Sequence, residues 1–471
     1  MDKVLENRIY LLIREMTLEE KTGMIHGAGL FRTAGVERLH IPPLKMSDGP
    51  MGVRSEFVND QWMPVGTPDD YVTYCPSNSA IAMTWNRKLA HNAGKVLGEE
   101  ARGRGKDVIL APGINIKRTP ACGRNFEYIS EDPRLTSELA VPMVRGIETS
   151  DVAACVKHFA MNNQETERLW INVEADERTM REIYFPAFQA VVQKAGAKSI
   201  MGSYNLIRGT HVCENKDIMG TVLRKEWGFD GTIISDWGAV HTTKETAEGP
   251  LDIEMSVTSD FDDYFLANPL ISEIRKGHID EACVDEKVRN ILRMMVRLHM
   301  IEVPDSDGKK KILVQKNKNR KAGSYNTAKH RSEVLKVARE SITLLKNEDR
   351  KLPLDPAIDK VLVIGQNAVI SQAMGGGSAE IKALYEITPL LGISKFLGGN
   401  CEVRYARGYD IPAKKESDHN WQEDSLDASK AAAETAKETE DSARLRKEAV
   451  ELAKEYKHVI YVGGLNHDQD L

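Results

Sequence analysis

The sequence predicts an α/β protein with an N-terminal (β/α) barrel of the TIM type, followed by an incomplete α/β sandwich domain. Two observations carry this prediction. Short apolar runs alternate with helix-patterned stretches through residues 1–302, and the alternation resumes at 331–471 after a polar linker at 303–330. Repeated strand–helix units over about 300 residues favour a barrel. A doubly wound sheet remains the alternative, although no Gly-x-Gly-x-x-Gly turn follows a strand.

The predicted barrel strands are short, uncharged and often β-branched, as buried parallel strands tend to be. They lie at residues 44–46, 108–111, 152–156, 199–201 and 232–235. Apolar residues at helical spacing predict helices between them. These helices lie at 86–102, 177–195, 216–226 and 285–299.

The second domain begins, in this prediction, with a helix at 331–345. Its other predicted elements are a strand at 360–365, a helix at 448–455 and a strand at 458–462. The charged, Ala-rich stretch at 413–447 is typical of a solvated helix or a mobile excursion. The glycine-rich loop at 374–379 lacks P-loop spacing, which favours a loop over another domain's site rather than a phosphate cradle.

Composition excludes several classes of protein. The chain has 471 residues, with 64 Lys and Arg against 70 Asp and Glu, a net charge of -6. We therefore expect no general nucleic-acid binder, and the lack of a run of about 18 apolar residues argues against a membrane span. The N-terminus shows no secretory signal, and the six cysteines form no Cys-x-x-Cys pair. Together these features predict reduced thiols in a cytoplasmic protein.

Polar side chains follow the predicted barrel strands at the point where each strand ends. In a (β/α) barrel these positions share one mouth, where active sites form. They supply carboxylates, cations, a histidine, a tyrosine and a tryptophan, which together suit a sugar. In chain order they are Asp48, Arg54, Arg124, Lys157, His158, Tyr204, Asp236 and Trp237.

Local chemistry alone leaves the roles of these residues open. Asp236, directly after an uncharged strand, is either a nucleophile for an anomeric carbon or a cap of the next helix. Asp48 is either a turn residue or an acceptor of sugar hydroxyls. Tyr204 fits a core tyrosine equally well. Arg54, Arg124 and Arg168 could each be surface charges, whereas Lys157 and His158 follow an apolar run and need partners.

Five segments together resemble glycoside hydrolase family 3, on its β-glucosidase side. They are Ser47-Asp-Gly-Pro-Met-Gly-Val-Arg54, Gly123-Arg-Asn-Phe-Glu-Tyr-Ile-Ser-Glu-Asp-Pro133, Lys157-His-Phe-Ala-Met-Asn-Asn-Gln-Glu-Thr-Glu-Arg168, Met201-Gly-Ser-Tyr-Asn205 and Ser235-Asp-Trp237. Each segment alone is weakly specific, but their order and spacing together are highly specific.

The resemblance implies a retaining, exo-acting hydrolase that releases terminal non-reducing β-D-glucosyl residues through a covalent glycosyl-aspartate. It implies that Asp236 is the nucleophile, that Tyr204 lies beside it, and that Trp237 borders the pocket. Lys157 and His158 would keep Asp236 ionised by their positive charge. The family needs no metal and no cofactor. By the same resemblance, the sugar is bound by Asp48, Arg54, Arg124, Lys157, His158 and Arg168.

Two departures from the family pattern matter. The Gly-His-Gly-rich motif of the N-acetylglucosamine subgroup is absent after Lys157 and His158, so we reject that subgroup. The acid/base Glu of the β-glucosidase type is expected just beyond Leu471, which predicts a truncated chain of doubtful activity. We assign no acid/base, because nothing in the family pattern supports Asp468 or Asp470.

The expected partner is a β-glucoside or a short oligosaccharide. The alternatives are β-xylosidase specificity, a non-catalytic sugar-binding fragment and, least favoured, a nucleotide-dependent enzyme. Assembly into a homo-oligomer is left open, because the sequence does not give the oligomeric state.

Overall fold

The computed structural model describes residues 3–54, 71–305, 312–373, 377–379, 381–410 and 440–464. Its central sheet contains five parallel strands within these residues, in the spatial order β10 (Thr232–Ser235), β7 (Ser199–Gly202), β5 (Ala153–Phe159), β4 (Val108–Leu110) and β3 (Met46–Asp48). The strands of this N-terminal unit are β1 (Gly27–Gly29), β2 (Arg32–Thr33), β3 (Met46–Asp48), β4 (Val108–Leu110), β5 (Ala153–Phe159), β6 (Asn172–Val173), β7 (Ser199–Gly202), β8 (Leu206–Ile207), β9 (Thr210–His211), β10 (Thr232–Ser235), β11 (Ile301–Glu302) and β12 (Gln315–Lys316).

Backbone hydrogen bonds continue from both edges of this sheet and close it into a barrel-like ring. Beyond β10, the segment 252–255 bonds to Ile233 and Ser235 on one side and to Ile25 and Gly27 on the other. Beyond β3, Thr33 N donates to Leu44 O at 3.1 Å and Met46 N donates to Phe31 O at 2.8 Å. Because β1 and β2 pair antiparallel, a hairpin completes an otherwise parallel ring. The predicted barrel-type fold is therefore confirmed.

Alternation along the strands divides their side chains between two hydrophobic clusters. Ile109, Ala154 and Ile200 pack into the cluster under helices α4 (Arg87–Gly103) and α5 (Pro133–Glu148). Their neighbours Val108 and Met201 pack into the opposite cluster. Strands that are buried on both faces must be uncharged on both faces, which explains why the sequence showed them as continuous apolar runs.

The helices surround the ring, and several of them begin at side-chain caps. Asn86 Oδ1 accepts from Lys88 N and Leu89 N at the start of α4, and Asp132 Oδ1 accepts from Leu135 N at the start of α5. The helices of the first 340 residues are α1 (Lys3–Arg14), α2 (Leu18–Met24), α3 (Asn78–Met83), α4 (Arg87–Gly103), α5 (Pro133–Glu148), α6 (Glu177–Thr179), α7 (Pro186–Ala190), α8 (Thr243–Ala247), α9 (Asn268–Arg275), α10 (Ala282–Arg297) and α11 (Ala328–Glu340).

Two of the predicted helices are less regular than expected. The segment 177–195 alternates between α-helix and wider π-type turns at Met180–Tyr184 and Val191–Ala195. The segment Lys216–Glu226 is also π-type. Apolar spacing predicts that such a segment is helical, but it does not resolve the pitch of its turns.

The segment after the ring packs back onto it. Ile312 and Val314 are buried in the second cluster, and β12 pairs with β11. Helix α11 then lies against α4, where His330 bonds to Glu99 at 2.8 Å and to Glu100 at 2.9 Å. The predicted helix at 331–345 thus begins earlier and ends at Glu340.

The C-terminal unit has a parallel sheet of three strands in the described residues, with β13 in the centre. Its elements are β13 (Lys360–Ile364), α12 (Pro389–Leu397), β14 (Glu402–Ala406), α13 (Glu440–Ala453) and β15 (Val459–Tyr461). Most of the charged stretch at 413–447 lies outside the described residues, as do Asp468 and Asp470. In the described part of the chain, no helix is long and apolar enough to cross a membrane. All six cysteines, each of them described, are free thiols.

Helices α4 and α5 approach so closely that glycine is required at their contact. A Cβ at Gly98 would overlap the Ile147 carbonyl oxygen, and a Cβ at Gly94 would overlap that of Met143. We expect Gly98→Ala to lower the free energy of unfolding by about 1–3 kcal/mol, because overpacking displaces backbone. Urea denaturation followed by circular dichroism measures this change.

Gly220→Ala is the matched control. Gly220 also lies in a helical segment, but its nearest neighbour would be 3.9 Å from the new Cβ. Alanine should be neutral or slightly stabilising there. An equal loss of stability in the two variants would contradict the helix-contact explanation.

Candidate active site

The polar residues predicted for the barrel mouth converge at the carboxyl ends of the parallel strands. Asp48 is the last residue of β3, Lys157 and His158 lie within β5, and Asp236 directly follows β10. The prediction that Asp48, Lys157 and His158 lie after their strands is therefore wrong. Their backbone continues the strands because ion pairs and hydrogen bonds satisfy their side chains in place.

Asp236 is held rigidly with one carboxylate oxygen unused. Its backbone N donates to Gly202 O at 3.0 Å, and its Oδ1 accepts from Trp237 N at 2.9 Å. Its Oδ2 is buried and has no hydrogen-bond partner among the described residues. The next helix, α8, is preceded by Thr242 at its N-cap position, so Asp236 is not a helix cap. A fixed carboxylate with one available oxygen suits a nucleophile.

His158 is neutral in this site. Arg124 Nη2 lies 2.9 Å from His158 Nε2, and since a guanidinium only donates, Nε2 must be the accepting nitrogen. The proton is therefore on Nδ1, which lies 3.2 Å from the Tyr128 hydroxyl. Burial, together with the charges of Arg124 and Lys157, holds the pKa of His158 well below 6.5.

This protonation state corrects one expectation. His158 Nε2 lies 3.5 Å from Asp236 Oδ2, but a neutral imidazole supplies no positive charge. The positive charge near Asp236 comes instead from Arg124, whose Nη2 bonds to the same His158 Nε2, and from Arg168, which interacts electrostatically with Asp236. Because its Nε2 already accepts from Arg124, His158 orients that guanidinium.

Glu127 joins two of these cations. Its Oε2 accepts from Arg124 Nε at 2.8 Å, and its Oε1 lies 2.8 Å from Lys157 Nζ. All three side chains are buried. Burial alone would raise the pKa of Glu127, but Arg124 and Lys157 outweigh it and lower the pKa to about 2. Glu127 is therefore ionised at any ordinary pH.

Glu165 supplies the counter-charge for Arg168. Its Oε2 accepts from Arg168 Nη1 at 2.6 Å and lies 4.0 Å from Arg124 Nη1. The Arg168 guanidinium stacks over the Tyr204 ring, with 4.6 Å between Cζ and the ring centroid. Burial and the charge of Asp236 raise the pKa of Tyr204 well above 10, so its hydroxyl stays protonated beside the carboxylate.

Asp48 and Arg54 complete the cluster of charged groups. The Asp48 carboxylate lies 3.7 Å from Arg54 Nη1, and its backbone O accepts from Arg54 N at 3.0 Å. The residue therefore both closes a turn and faces the site. Burial raises the pKa of Asp48 to about 6, against the opposing charges of Lys157 and Arg54.

Trp237 is anchored away from solvent. Its Nε1 donates to Leu30 O at 2.8 Å, its ring centroid lies 5.4 Å from that of Phe31, and it is buried. Trp237 is thus next to Asp236 in the chain, and its indole is fixed beside the β1–β2 hairpin.

Among the described residues, a loop of the C-terminal unit reaches this site. Ser378 Oγ lies 3.3 Å from Arg124 Nη2. Nearby, Val72 N donates to Lys382 O and Leu384 N donates to Val72 O, both at 2.9 Å. The barrel segment around Val72 is therefore paired with the loop that carries Ser378.

Sequence reasoning did not single out Glu127, Glu165, Asn115 or Ser378. Asn115 clamps the His158 peptide, since its Nδ2 donates to His158 O at 2.9 Å and its Oδ1 accepts from His158 N at 2.7 Å. Glu127 and Glu165 lie within segments that carried the family resemblance. A usable signal was available for them, because buried cations require buried carboxylates.

We expect Glu127→Gln to lower the free energy of unfolding by about 3–5 kcal/mol, because it leaves two buried cations without their counter-charge. The matched control is Glu138→Gln, where the carboxylate pairs with Arg87 and Arg134 at the surface. That change should cost less than about 1 kcal/mol. Urea denaturation of both variants measures the difference, and similar losses would contradict the role given to Glu127.

Comparison with known proteins places the chain in a family. The sequence profile of the glycosyl hydrolase family 3 N terminal domain matches residues 44–294, and that of the C-terminal domain matches residues 342–470. Beta-glucosidase BoGH3A of Bacteroides ovatus is 40% identical over 485 residues, covering 99% of this chain and 60% of that protein.

Solved structures agree with the sequence matches. A GH3 beta-glucosidase from Bifidobacterium adolescentis superposes with a TM-score of 0.76 at 30% identity, covering 98% of this chain and 58% of the other. DesR, a beta-glucosidase from Streptomyces venezuelae in complex with D-glucose, gives a TM-score of 0.74 at 33% identity, with coverages of 86% and 51%. The chain thus spans between half and two thirds of these relatives. It belongs to glycosyl hydrolase family 3.

Proposed function

We propose that this chain supplies the nucleophile and the sugar-binding pocket of a retaining, exo-acting β-glucosidase. The observation that carries the proposal is Asp236 Oδ2, which lies at the strand ends near buried cations and has no hydrogen-bond partner in the part of the chain that the structure describes. A carboxylate oxygen that is held in place and left without a protein partner suits attack on an anomeric carbon.

In the proposed reaction Asp236 Oδ2 attacks the anomeric carbon of a terminal glucosyl residue. The glycosidic C–O bond breaks, its electron pair leaves with the aglycone oxygen, and a glycosyl ester of Asp236 forms. Water then attacks the same carbon, the ester C–O bond breaks, and glucose and the free carboxylate are released. The proton lost by the water goes to solvent, which balances the proton that the departed aglycone oxygen takes up. The glucosyl hydroxyls would be held by Asp48, Arg54, Arg124, Lys157 and Arg168, with His158 orienting Arg124.

The proposal assigns the acid/base to none of the described carboxylates. Retaining hydrolysis uses a second carboxyl group about 5–5.5 Å from the nucleophile. Glu127 and Glu165 are paired with cations, and Asp48 is given to sugar binding. A decisive test must therefore use a leaving group that departs without a proton.

The specificity part of the proposal rests on the relatives. They are named as beta-glucosidases, and one solved relative holds D-glucose. This favours a glucoside over a xyloside as the substrate.

The test is labelling with 2,4-dinitrophenyl 2-deoxy-2-fluoro-β-D-glucoside. We expect intact-mass spectrometry to show the gain of one fluoroglucosyl group, mapped by peptide analysis to Asp236. Asp236→Asn should not be labelled, and the matching fluoroxyloside should label more slowly. A chain that is folded by circular dichroism but takes no label would overturn the proposed nucleophile, and faster labelling by the xyloside would overturn the specificity.

The pKa of Asp48 gives a second prediction. Since a protonated carboxyl accepts fewer hydrogen bonds than a carboxylate, glucose affinity should fall as the pH is lowered through about 6. Asp48→Asn should weaken glucose binding by at least about tenfold at neutral pH and remove this pH dependence. Isothermal titration at several pH values measures both effects.

Protein stability should respond to pH in the opposite sense. The folded-state pKa of Asp48 is raised from its ordinary value of 3.8 to about 6, so the stability that its protonated carboxyl contributes is lost as the pH rises from about 4 to about 6. The stability of Asp48→Asn relative to the unmodified chain should therefore increase between these two pH values. A constant difference would show that Asp48 does not titrate there.

A further inference from the structure

A group of aromatic side chains that the proposed reaction does not use lies at the same mouth of the barrel. It consists of Trp170, His211 and His241, called here the rim cluster. Trp170 lies in the loop after β5, His211 ends β9 in the hairpin after β7, and His241 lies in the loop after Asp236. Three separate strand ends therefore supply its members.

The rim cluster is packed yet open to solvent. The two imidazoles stack with 3.8 Å between their centroids and 22° between their planes. The Trp170 ring lies 5.3 Å from His241 and 5.9 Å from His211. Even so, Trp170 is 63% exposed, while Leu169 beside it is 3% exposed. A large apolar ring held in place but left exposed is characteristic of a binding surface.

The rim cluster is connected directly to the proposed sugar pocket. His211 Nδ1 lies 3.1 Å from Tyr204 O, and because a carbonyl oxygen only accepts, this nitrogen carries the proton. Arg168 stacks on the ring of the same Tyr204 and lies on the same loop as Trp170. The elements that hold the pocket therefore also place the rim cluster at its edge.

The rim cluster also contains a polar atom that lacks a partner. His241 Nε2 is buried and has no hydrogen-bond partner among the described residues. Burial and the nearby His211 lower the pKa of His241 to about 4, so the ring is neutral at ordinary pH. A buried polar atom normally has a partner. Since the His241 side chain as a whole is only partly buried, a turn of its ring would present Nε2 to a hydroxyl group on a bound molecule.

We propose that the rim cluster binds the leaving-group side of the substrate. Trp170 stacks on the flat face of the ring attached to the glucosyl residue, and His241 Nε2 bonds to a hydroxyl of that ring. The inference rests on the proposed function, and it makes the rim cluster a determinant of aglycone preference for six-membered sugar or aryl rings.

The test compares the binding of three compounds that are not hydrolysed: glucose, phenyl 1-thio-β-D-glucoside and thiocellobiose. Isothermal titration of the unmodified chain should show tighter binding of the two thioglycosides than of glucose. Trp170→Ala should raise the Kd for both thioglycosides by about three- to tenfold and leave the Kd for glucose unchanged. His241→Phe, which keeps the stacked ring, should weaken thiocellobiose more than the phenyl compound.

Trp85→Ala is the matched control, because Trp85 is 75% exposed and belongs to the α3–α4 connection. It should leave all three affinities unchanged. Failure of the unmodified chain to bind glucose would overturn the proposed function together with this inference. Three outcomes would overturn the role of the rim cluster alone. The unmodified chain could bind glucose as tightly as the thioglycosides, Trp170→Ala could keep the preference for the thioglycosides, or Trp170→Ala could lose affinity for glucose to the same extent as for the thioglycosides.

Discussion

The site depends on the buried ion pairs of Glu127 with Arg124 and Lys157. Removing charged groups from water is expensive, and a buried cation without a counter-charge is strongly destabilising. Glu127 offsets that penalty for two cations on different segments, so it fixes Lys157 in β5 relative to the loop that carries Arg124. Arg124 in turn fixes the tautomer of His158. The positive surroundings of Asp236 are thus assembled before any sugar binds.

The barrel supplies the geometry on which these pairs depend. Parallel strands end at one mouth, and residues two apart on a strand point to the same side. Asp48 thereby continues the face of Met46, and Lys157 continues that of Cys155, so charged groups extend the apolar interior at its open end. The contact between α4 and α5 outside the ring is also sterically constrained, since it requires glycine where the two helices touch.

The five strands of the central sheet could be predicted from the sequence, because burial on both faces leaves most of their residues uncharged. The sequence also predicted which polar residues lie together at the ends of these strands. The prediction placed Asp48, Lys157 and His158 after their strands. Polar side chains suggest a loop, and the sequence does not show which distant residues satisfy them inside a strand. The charge of His158 was mispredicted because it depends on a guanidinium 34 residues away in sequence. Glu127 was overlooked because the need of Lys157 for a buried partner does not reveal which of the chain's carboxylates supplies it. The rim cluster joins three loops that no local pattern connects.

The pairing of Val72 with the loop that carries Ser378 has a consequence for recombination between relatives. Joining the barrel of one family member to the C-terminal unit of another in the segment after β11 would separate two halves of one hydrogen-bonded ladder. Tyr74, whose hydroxyl donates to Gln372 O at 3.0 Å, belongs to the same contact. A functional chimera must therefore transplant the barrel residues around 71–75 together with the second unit. The natural module of exchange in this chain is discontinuous, although its two folded units follow one another in the sequence.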